Sequence, residues 1–133
     1  MFSVGIIGSV TSKALVKLID FEIPVASGNC AFYLARDGRC YYRNNAGQDT
    51  YISGIWYTAT DTETPGSSYD VRFTLEAGTA TGTFGTWLAL SSFGGRSVSF
   101  SVSQSGRVLV EIRDTATQTT RAAKRVWRGA FAP

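Results

Sequence analysis

Apolar and polar residues alternate along most of the chain after residue 30, and this pattern predicts short β-strands. The alternation is clearest in residues 69–76, where every second side chain is apolar. One face of this segment holds Tyr69, Val71, Phe73 and Leu75, and the other holds Asp70, Arg72, Thr74 and Glu76. A period of two is typical of a half-buried strand. Turn residues recur about every 8 to 12 positions, which favours a β-sandwich or barrel.

A β-hairpin is predicted for residues 30–43, because Asp37-Gly38 separates two apolar runs and is favoured in two-residue type I′ turns. Such a turn sets Tyr33 opposite Tyr42. It also fixes the register of every other pair in the hairpin, since residues pair in sequence on either side of the turn.

The same register keeps Cys30 and Cys40 apart. They lie about five positions from each other along the ladder, or about 16 Å at about 3.3 Å per residue, whereas a disulfide needs Cα atoms within about 7 Å. The chain has two cysteines and no histidine, and the cysteines do not form a Cys-x-x-Cys motif, so no zinc site is predicted. Both thiols are predicted to pack in the interior without a disulfide.

Two further alternating runs, residues 98–102 and 108–112, are predicted to pair as a second hairpin. Placing both apolar sets on one face requires a loop with an odd number of residues. Gln104-Ser105-Gly106 supplies such a loop, with Gly106 in the left-handed position of a G1 bulge. Residues 114–120 are the next turn, and residues 120–131 are either a last basic strand or a tail.

The start of the chain is less regular. Residues 12–23 fit a strand or a short helix, and Pro24 and Gly28 close the segment. We therefore expect one domain, with an N-terminal arm or edge strand in residues 1–25 and a β-sandwich of about seven to nine strands in residues 26–133. The first residues lack a basic region, and their longest uncharged run, residues 1–12, is broken by two glycines and followed by Lys13 and Lys17, so neither a signal peptide nor a membrane span is predicted.

Composition narrows the function more than the fold. The chain has 133 residues, 44% of them apolar and 17% charged, which is enough for one small core. Histidine is absent, which removes the commonest general base and the commonest metal ligand. The sequence also contains no nucleophile elbow, no phosphate-binding glycine loop and no zinc-protease motif. We expect a protein that is not an enzyme and that has no cofactor and no metal site.

Two segments are predicted to contact partner proteins. The N-terminal one supplies the apolar residues Leu15, Leu18, Ile19 and Phe21. The C-terminal one interleaves basic residues with a tryptophan: Arg121, Lys124, Arg125, Trp127 and Arg128. The basic residues would suit an acidic protein or a phosphate backbone, and a strand with a basic outer face explains them equally well. A net charge of +3 is too small to indicate a nucleic-acid partner.

An aromatic cluster offers a different function. Tyr rings and Trp rings stack on the apolar faces of sugars, and a glycan-contacting surface is expected if several of them are exposed together. The rings that could form this surface are Tyr41, Tyr42, Tyr51, Trp56 and Tyr57, and the candidate glycan contacts among them are Tyr41, Tyr42, Trp56 and Tyr57. Packing of the same rings into the core is the competing interpretation.

Four segments resemble a module of tailed-bacteriophage and prophage structural proteins. They are Ser68-Tyr-Asp-Val-Arg-Phe-Thr-Leu-Glu-Ala-Gly78, Gly85-Thr-Trp-Leu-Ala-Leu90, Arg96-Ser-Val-Ser-Phe-Ser101 and Leu109-Val-Glu-Ile-Arg-Asp114. The resemblance implies an antiparallel immunoglobulin-like β-sandwich, with Trp87 as a core tryptophan and Arg72 and Arg113 as framework arginines. It implies no catalytic residue. The chain departs from the module in having Val98 where tryptophan is usual and in its more basic C-terminal segment.

What the resemblance implies for function is a structural component of a phage virion, made in the host cytoplasm. The chain would be a tail, tail-tip or capsid-surface protein that works through repeated protein–protein contacts. Its partners would be other virion proteins and copies of itself in a symmetric assembly, with neither nucleic acid nor membrane involved. In the alternative, a receptor- or glycan-binding module at the tail tip or fibre, the partner is a host surface receptor.

Overall fold

The computed structural model describes residues 15–16, 20–24, 28–35, 39–54, 56–57, 69–90 and 96–133. These residues form strands and turns and no helix. The strands in chain order are β1 (Leu15–Val16), β2 (Phe21–Glu22), β3 (Cys30–Leu34), β4 (Arg39–Arg43), β5 (Asp49–Gly54), β6 (Trp56–Tyr57), β7 (Tyr69–Gly78), β8 (Leu88–Ala89), β9 (Arg96–Phe100), β10 (Gly106–Asp114) and β11 (Thr120–Arg128). The predicted all-β class is confirmed.

The strands form two main sheets. A five-stranded sheet has the order β2-β11-β10-β7-β8, and a four-stranded sheet has the order β5-β4-β3-β9. The short strands β1 and β6 pair with each other. Neighbouring strands are antiparallel except β2 and β11, which run parallel. No helix in the described part of the chain is long and apolar enough to cross a membrane.

The inner faces of the two main sheets supply one hydrophobic core. Tyr69, Val71 and Phe73 are buried, and Leu75 packs against them, which confirms the face predicted for residues 69–76. The four-stranded sheet contributes Cys30, Phe32, Leu34, Cys40, Val98 and Phe100. The five-stranded sheet adds Val108, Val110, Ile112 and Val126. Both cysteines are buried and neither forms a disulfide, as predicted.

The β3–β4 hairpin forms, but its predicted register is wrong by one residue. Tyr33 lies opposite Tyr41, and Phe32 lies opposite Tyr42. With the two-residue turn, Phe32 would have faced Arg43 across the strands. The observed register instead pairs inward residues with inward residues, and burial of the apolar face outweighs the preference of Asp37-Gly38 for a tight turn.

The second predicted hairpin is also wrong. β9 pairs with β3, whereas β10 pairs with β7 and β11 in the other sheet. Residues 101–105 therefore cross between the sheets, and Val102 is 72% exposed instead of buried. Gly106 is the first residue of β10 and has no positive φ, so it does not form a G1 bulge. Val98 and Phe100 of the first run and the apolar residues of the second do face the core, but from opposite sides of it.

The segment between β7 and β8 closes one side of the sandwich. Thr81 forms two backbone hydrogen bonds of 2.8 Å with Ser99 of β9, and the amide of Gly85 donates to the carbonyl of Phe73 on β7 at 2.7 Å. The segment thus covers the edge of the four-stranded sheet and returns to the five-stranded sheet. Residues 120–128, left open as a strand or a tail, form the strand β11.

Candidate functional site

The outer face of the five-stranded sheet is covered by ion pairs between neighbouring strands. Glu76 on β7 accepts hydrogen bonds from Arg107 at 2.9 Å and from Arg125 at 2.8 Å. Further pairs join Arg72 to Glu111, Arg113 to Asp70 and Arg121 to Asp114, at 2.9, 3.0 and 3.1 Å. Register explains this pattern, because Glu111 lies opposite Arg72 and Arg113 lies opposite Asp70.

Glu76 is the centre of the most connected group. The hydrogen bond from Arg125, followed by the one from Arg107, lowers the pKa of the Glu76 carboxyl below its ordinary value. The same contact raises the pKa of Arg125. Glu76 is therefore held as a carboxylate at neutral pH, and its lone pairs are engaged by cations of its own sheet.

Trp87 lies on this outer face and not in the core, so the role that the resemblance implied for it is wrong. Its ring is half-buried and contacts two guanidinium groups, with Arg72 at 4.5 Å and Arg113 at 4.3 Å from the ring centroid. A cation over the face of an indole ring is attracted by its quadrupole. Arg72 and Arg113 also each bind a carboxylate on a neighbouring strand, so they connect β7 to β10.

The five C-terminal contact candidates are placed very differently from one another. Arg121 and Arg125 are ion-paired within the chain, to Asp114 and Glu76. Lys124 is exposed, and Trp127 is half-buried on the outer face.

Arg128 is fully buried, so it does not reach the surface where a partner would bind. Its Nη1 donates to the carbonyls of Ser101 at 2.6 Å and Phe100 at 3.1 Å, and its Nη2 donates to the carbonyl of Gly28. These carbonyls flank the ends of β9 and β3 in the opposite sheet. Arg128 therefore connects the two sheets through hydrogen bonds in the interior. The basic residues beside it in the sequence gave no indication of this role.

The N-terminal candidates meet the C-terminal ones at a sheet edge. Phe21 lies beside Val126 of β11, and the Asp20 carboxylate accepts a hydrogen bond from the backbone amide of Arg125 at 2.8 Å. The amide of Ile23 donates to the carbonyl of Trp127 at 2.8 Å. The Phe21 ring also packs against Tyr42, with 5.8 Å between centroids. Leu18, Ile19 and the side chain of Leu15 lie outside the described residues.

The four glycan-contact candidates do not form one surface. Tyr41 and Tyr42 are successive strand residues and point to opposite faces of the sheet. Tyr42 packs against the core, with its hydroxyl 3.1 Å from the Cys30 sulfur. The side chains of Trp56 and Tyr57 lie outside the described residues.

Tyr41 instead belongs to a row of three tyrosines on neighbouring strands. Tyr33, Tyr41 and Tyr51 lie side by side on β3, β4 and β5, on the outer face of the four-stranded sheet. The Tyr41 and Tyr51 rings meet edge to face with 6.0 Å between centroids, and Tyr51 is 58% exposed. Tyr33 was not among the predicted candidates. In the observed register it lies opposite Tyr41, which was one of them, so the correct register of the hairpin would have indicated it.

A cleft of about 410 Å³ adjoins this row at the end of β3 and β4. Its lining includes Asn29, Asn45, Ser99 and Ser101, and Arg43 on the side toward the tyrosines. The Arg43 guanidinium lies 5.0 Å from the centroid of the Tyr33 ring and holds the Asp49 carboxylate through two hydrogen bonds. Arg43 thus belongs to both the row and the cleft.

Comparison of the chain with protein-family models, with curated proteins and with solved structures gave no match. Within the described ranges, no group of three or more acidic or cysteine side chains is placed to hold a metal ion.

Proposed function

We propose that this chain is a non-enzymatic structural component of a tailed-phage virion, in the tail, the tail tip or the capsid surface, and that it acts through repeated protein–protein contacts. The observation that supports this most directly is the meeting of the two predicted contact segments. Strand β2 lies beside the end of β11, so apolar residue Phe21 and basic residue Lys124 belong to one edge of the molecule. Repetition of one modest contact around a symmetric assembly gives strong binding by avidity.

The geometry of that edge favours a protein partner. Among the described residues, β2 pairs only with Val126 and Trp127, and no strand covers the preceding part of β11. An open strand edge presents backbone donors and acceptors that a strand of another chain can use. Lys124 is exposed there, and a positively charged residue at an open edge disfavours pairing with strands that do not carry a compensating negative charge.

The state of the acidic residues supports a non-catalytic role. Five carboxylates of the described chain are held by arginines: Asp49, Asp70, Glu76, Glu111 and Asp114. A general acid or base must exchange a proton near neutral pH, and the hydrogen bonds from their arginines lower the pKa of Glu76 and of Asp49 away from that range. Ion-paired carboxylates stabilise a scaffold instead.

An immunoglobulin-like topology is part of the proposal. The chain passes from the four-stranded sheet to the five-stranded sheet after β5, returns before β9 and crosses again before β10. Crossings of this kind occur in Greek-key sandwiches, the class that contains the immunoglobulin-like folds. The resemblance of residues 68–114 to the phage module supports the same assignment.

The test is quantitative mass spectrometry of particles purified from the source of the sequence. We expect the chain in the particles at a copy number that is a multiple of their rotational symmetry. The double variant Trp127→Ala, Lys124→Ala should keep its melting temperature within a few degrees and lose incorporation. Lys124→Glu provides a check that disturbs no packed side chain, and Tyr51→Ala on the opposite face is the matched control that should incorporate normally. Absence of the chain from the particles would overturn the proposal.

Receptor or glycan binding is the second candidate function. The observation that favours it is the tyrosine row, in which Tyr51 is exposed, beside a cleft that asparagine and serine side chains help to line, on the face away from the proposed assembly edge. The two functions use different surfaces, so one chain can carry both.

A further inference from the structure

We propose that the outer face of the four-stranded sheet holds a binding site for an uncharged pyranose sugar, formed by Tyr33, Tyr41 and Tyr51 together with Arg43 and the adjoining cleft. This inference rests on the second candidate function and names its site and its ligand class. It does not depend on assembly of the chain into a virion.

The aromatic part of the site has the shape of a corner. The planes of the Tyr41 and Tyr51 rings are 71° apart, so one ring presents an edge toward the face of the other. Such a corner does not form the flat strip that a long ribbon-like polysaccharide needs. It suits a single pyranose ring, whose apolar face can stack on Tyr51 while its rim contacts Tyr41.

Arg43 contributes a hydrogen-bond donor, and its pairing with Asp49 leaves the two side chains together without a net charge. Its Nε and Nη2 bind the two oxygens of Asp49 at 2.7 and 3.0 Å, which leaves Nη1 for a ligand. The hydrogen bond from Arg43 lowers the pKa of Asp49, so the pair persists at neutral pH as one cation and one anion. The guanidinium is also held over the Tyr33 ring, which fixes its plane before a ligand binds.

Two asparagines in the cleft are also oriented by hydrogen bonds within the chain. The Asn29 side-chain oxygen accepts a hydrogen bond from the amide of Val102 at 2.7 Å, and the Asn45 side-chain oxygen accepts one from the amide of Asn29 at 3.3 Å. Each contact engages the carbonyl of the side chain and leaves its NH₂ group as a donor. Sugar hydroxyls accept such hydrogen bonds, and Ser99, which also lines the cleft, offers a hydroxyl that can donate or accept.

The charge balance selects the ligand class. A nucleic-acid backbone is bound mainly by cations that neutralise its phosphates. The cation described at this site is already neutralised by Asp49, so a phosphate gains little there. Aromatic stacking combined with amide and guanidinium donors favours an uncharged ligand rich in hydroxyls.

The test is a titration of the isotope-labelled full chain, followed by two-dimensional NMR. The probes are the methyl α- and β-pyranosides of glucose, galactose and N-acetylglucosamine, at millimolar concentrations. We expect at least one of the six to shift the amide signals of β4, β5 and the Asn29 and Asn45 loops in a saturable way. Absence of saturable shifts with all six, or shifts that map to the five-stranded sheet, would overturn the proposal.

Variants locate the binding energy. Tyr51→Ala should weaken binding about tenfold or more by removing a stacked ring, whereas Tyr51→Phe, which keeps the ring, should bind within about twofold of the original chain. Lys124→Ala on the other sheet is the control and should bind unchanged. Unchanged spectra elsewhere in the chain show that Tyr51→Ala remains folded. If Tyr51→Ala binds like the original chain, the site is wrong, whatever the outcome of the virion experiment.

Discussion

The two outer faces of this sandwich are built from similar residues in opposite ways. On the five-stranded sheet, arginines bind carboxylates on neighbouring strands, and the Trp87 ring contacts both Arg72 and Arg113. On the four-stranded sheet, Arg43 is paired with Asp49, and Tyr51 is 58% exposed. The charged groups and the Trp87 ring of the five-stranded sheet contact each other. The four-stranded sheet leaves the Tyr51 ring and part of the Arg43 guanidinium exposed to solvent.

The difference shows that residue type alone does not mark a binding surface. An arginine that is bound to a carboxylate on a neighbouring strand has few donors left for a partner, and an aromatic ring in contact with two such arginines is part of the scaffold. Binding capacity depends on what remains after the internal contacts are made. By that measure the four-stranded sheet is the better candidate for a ligand, and the edge formed by β2 and β11 is the better candidate for assembly.

The largest expected effect concerns the residue that joins the two faces from inside. Arg128→Ala should lower the free energy of unfolding by about 4 kcal/mol, because three carbonyl acceptors lose a charged donor inside the fold. Urea unfolding followed by tryptophan fluorescence and by circular dichroism measures it, and both probes should shift together. Arg128→Lys should recover only part of the loss, since an ammonium lacks the planar fork. Independent transitions by the two probes would show that the faces fold separately.

A glycine pair sharpens the contrast in packing between the sheets. Gly78 at the end of β7 and Gly47 in the β4–β5 turn have positive φ values of 69° and 81°. A Cβ at Gly78 would lie 2.1 Å from the Ser105 carbonyl oxygen, whereas one at Gly47 would meet nothing within 4 Å. Gly78→Ala should therefore cost about 3 kcal/mol, and Gly47→Ala about 1 kcal/mol from backbone strain alone. Equal losses in thermal unfolding would contradict this account.

Aromatic truncation tests the comparison most directly. Trp87→Ala should lower stability by about 1 to 2 kcal/mol, because two cation–π contacts are lost. Tyr51→Ala should cost only about 0.5 kcal/mol, since its ring is largely exposed. Chemical denaturation of the two variants side by side gives the difference. A larger loss for Tyr51→Ala would mean that the tyrosine row is structural and not available to a ligand.

The smallest effect is electrostatic and depends on pH. The pKa of Glu76 is lowered in the folded chain, so its ion pairs contribute full stability above the unfolded pKa of about 4.3, and this contribution is lost as the pH falls through the folded value. Glu76→Gln should therefore be about 0.5 to 1 kcal/mol less stable at pH 7 and converge with the original chain below about pH 4.

Asp49→Asn is the matched change on the other face. The pKa of Asp49 is also lowered, by its hydrogen bond from Arg43, so the sign of the pH dependence is the same. The side chains of Arg43 and Asp49 are 45% and 34% exposed, against 20% for Glu76, and solvent weakens the pair. Thermal melts at pH 3.5 and pH 7 should show a smaller effect than for Glu76→Gln. A larger one would reverse the contrast between the faces.

Much of the local structure was predictable. The strand at residues 69–76 and its buried face follow from strict alternation, and so do the inward residues of β9 and β10. The position of the β3–β4 hairpin was also predictable. Its register agrees with the parity of the apolar residues and not with the two-residue turn that Asp37-Gly38 favours. Placing Phe32 opposite Tyr42 would have set the register and revealed the tyrosine row.

The candidate sites were harder to predict. Arg121, Lys124, Arg125 and Arg128 look alike in sequence, yet one is buried, two are ion-paired and one is exposed. Trp87 is followed in the sequence by the apolar residues Leu88, Ala89 and Leu90, as a core residue would be, yet it lies on the outer face. Their surroundings come from strands that are distant in sequence, such as Glu76 beside Arg125, and no local pattern encodes those distances.

The sequence by itself determined which side of each strand faces the core, because alternation with a period of two follows directly from burial of one face. Only the tertiary structure decided which strands are neighbours, since backbone hydrogen bonds between strands are made alike by nearly every residue type. β9 and β10 illustrate both points, with the predicted inward residues and the wrong partners. The same limit applies to function: whether a basic or aromatic side chain is available to a partner depends on the residues that the fold brings beside it.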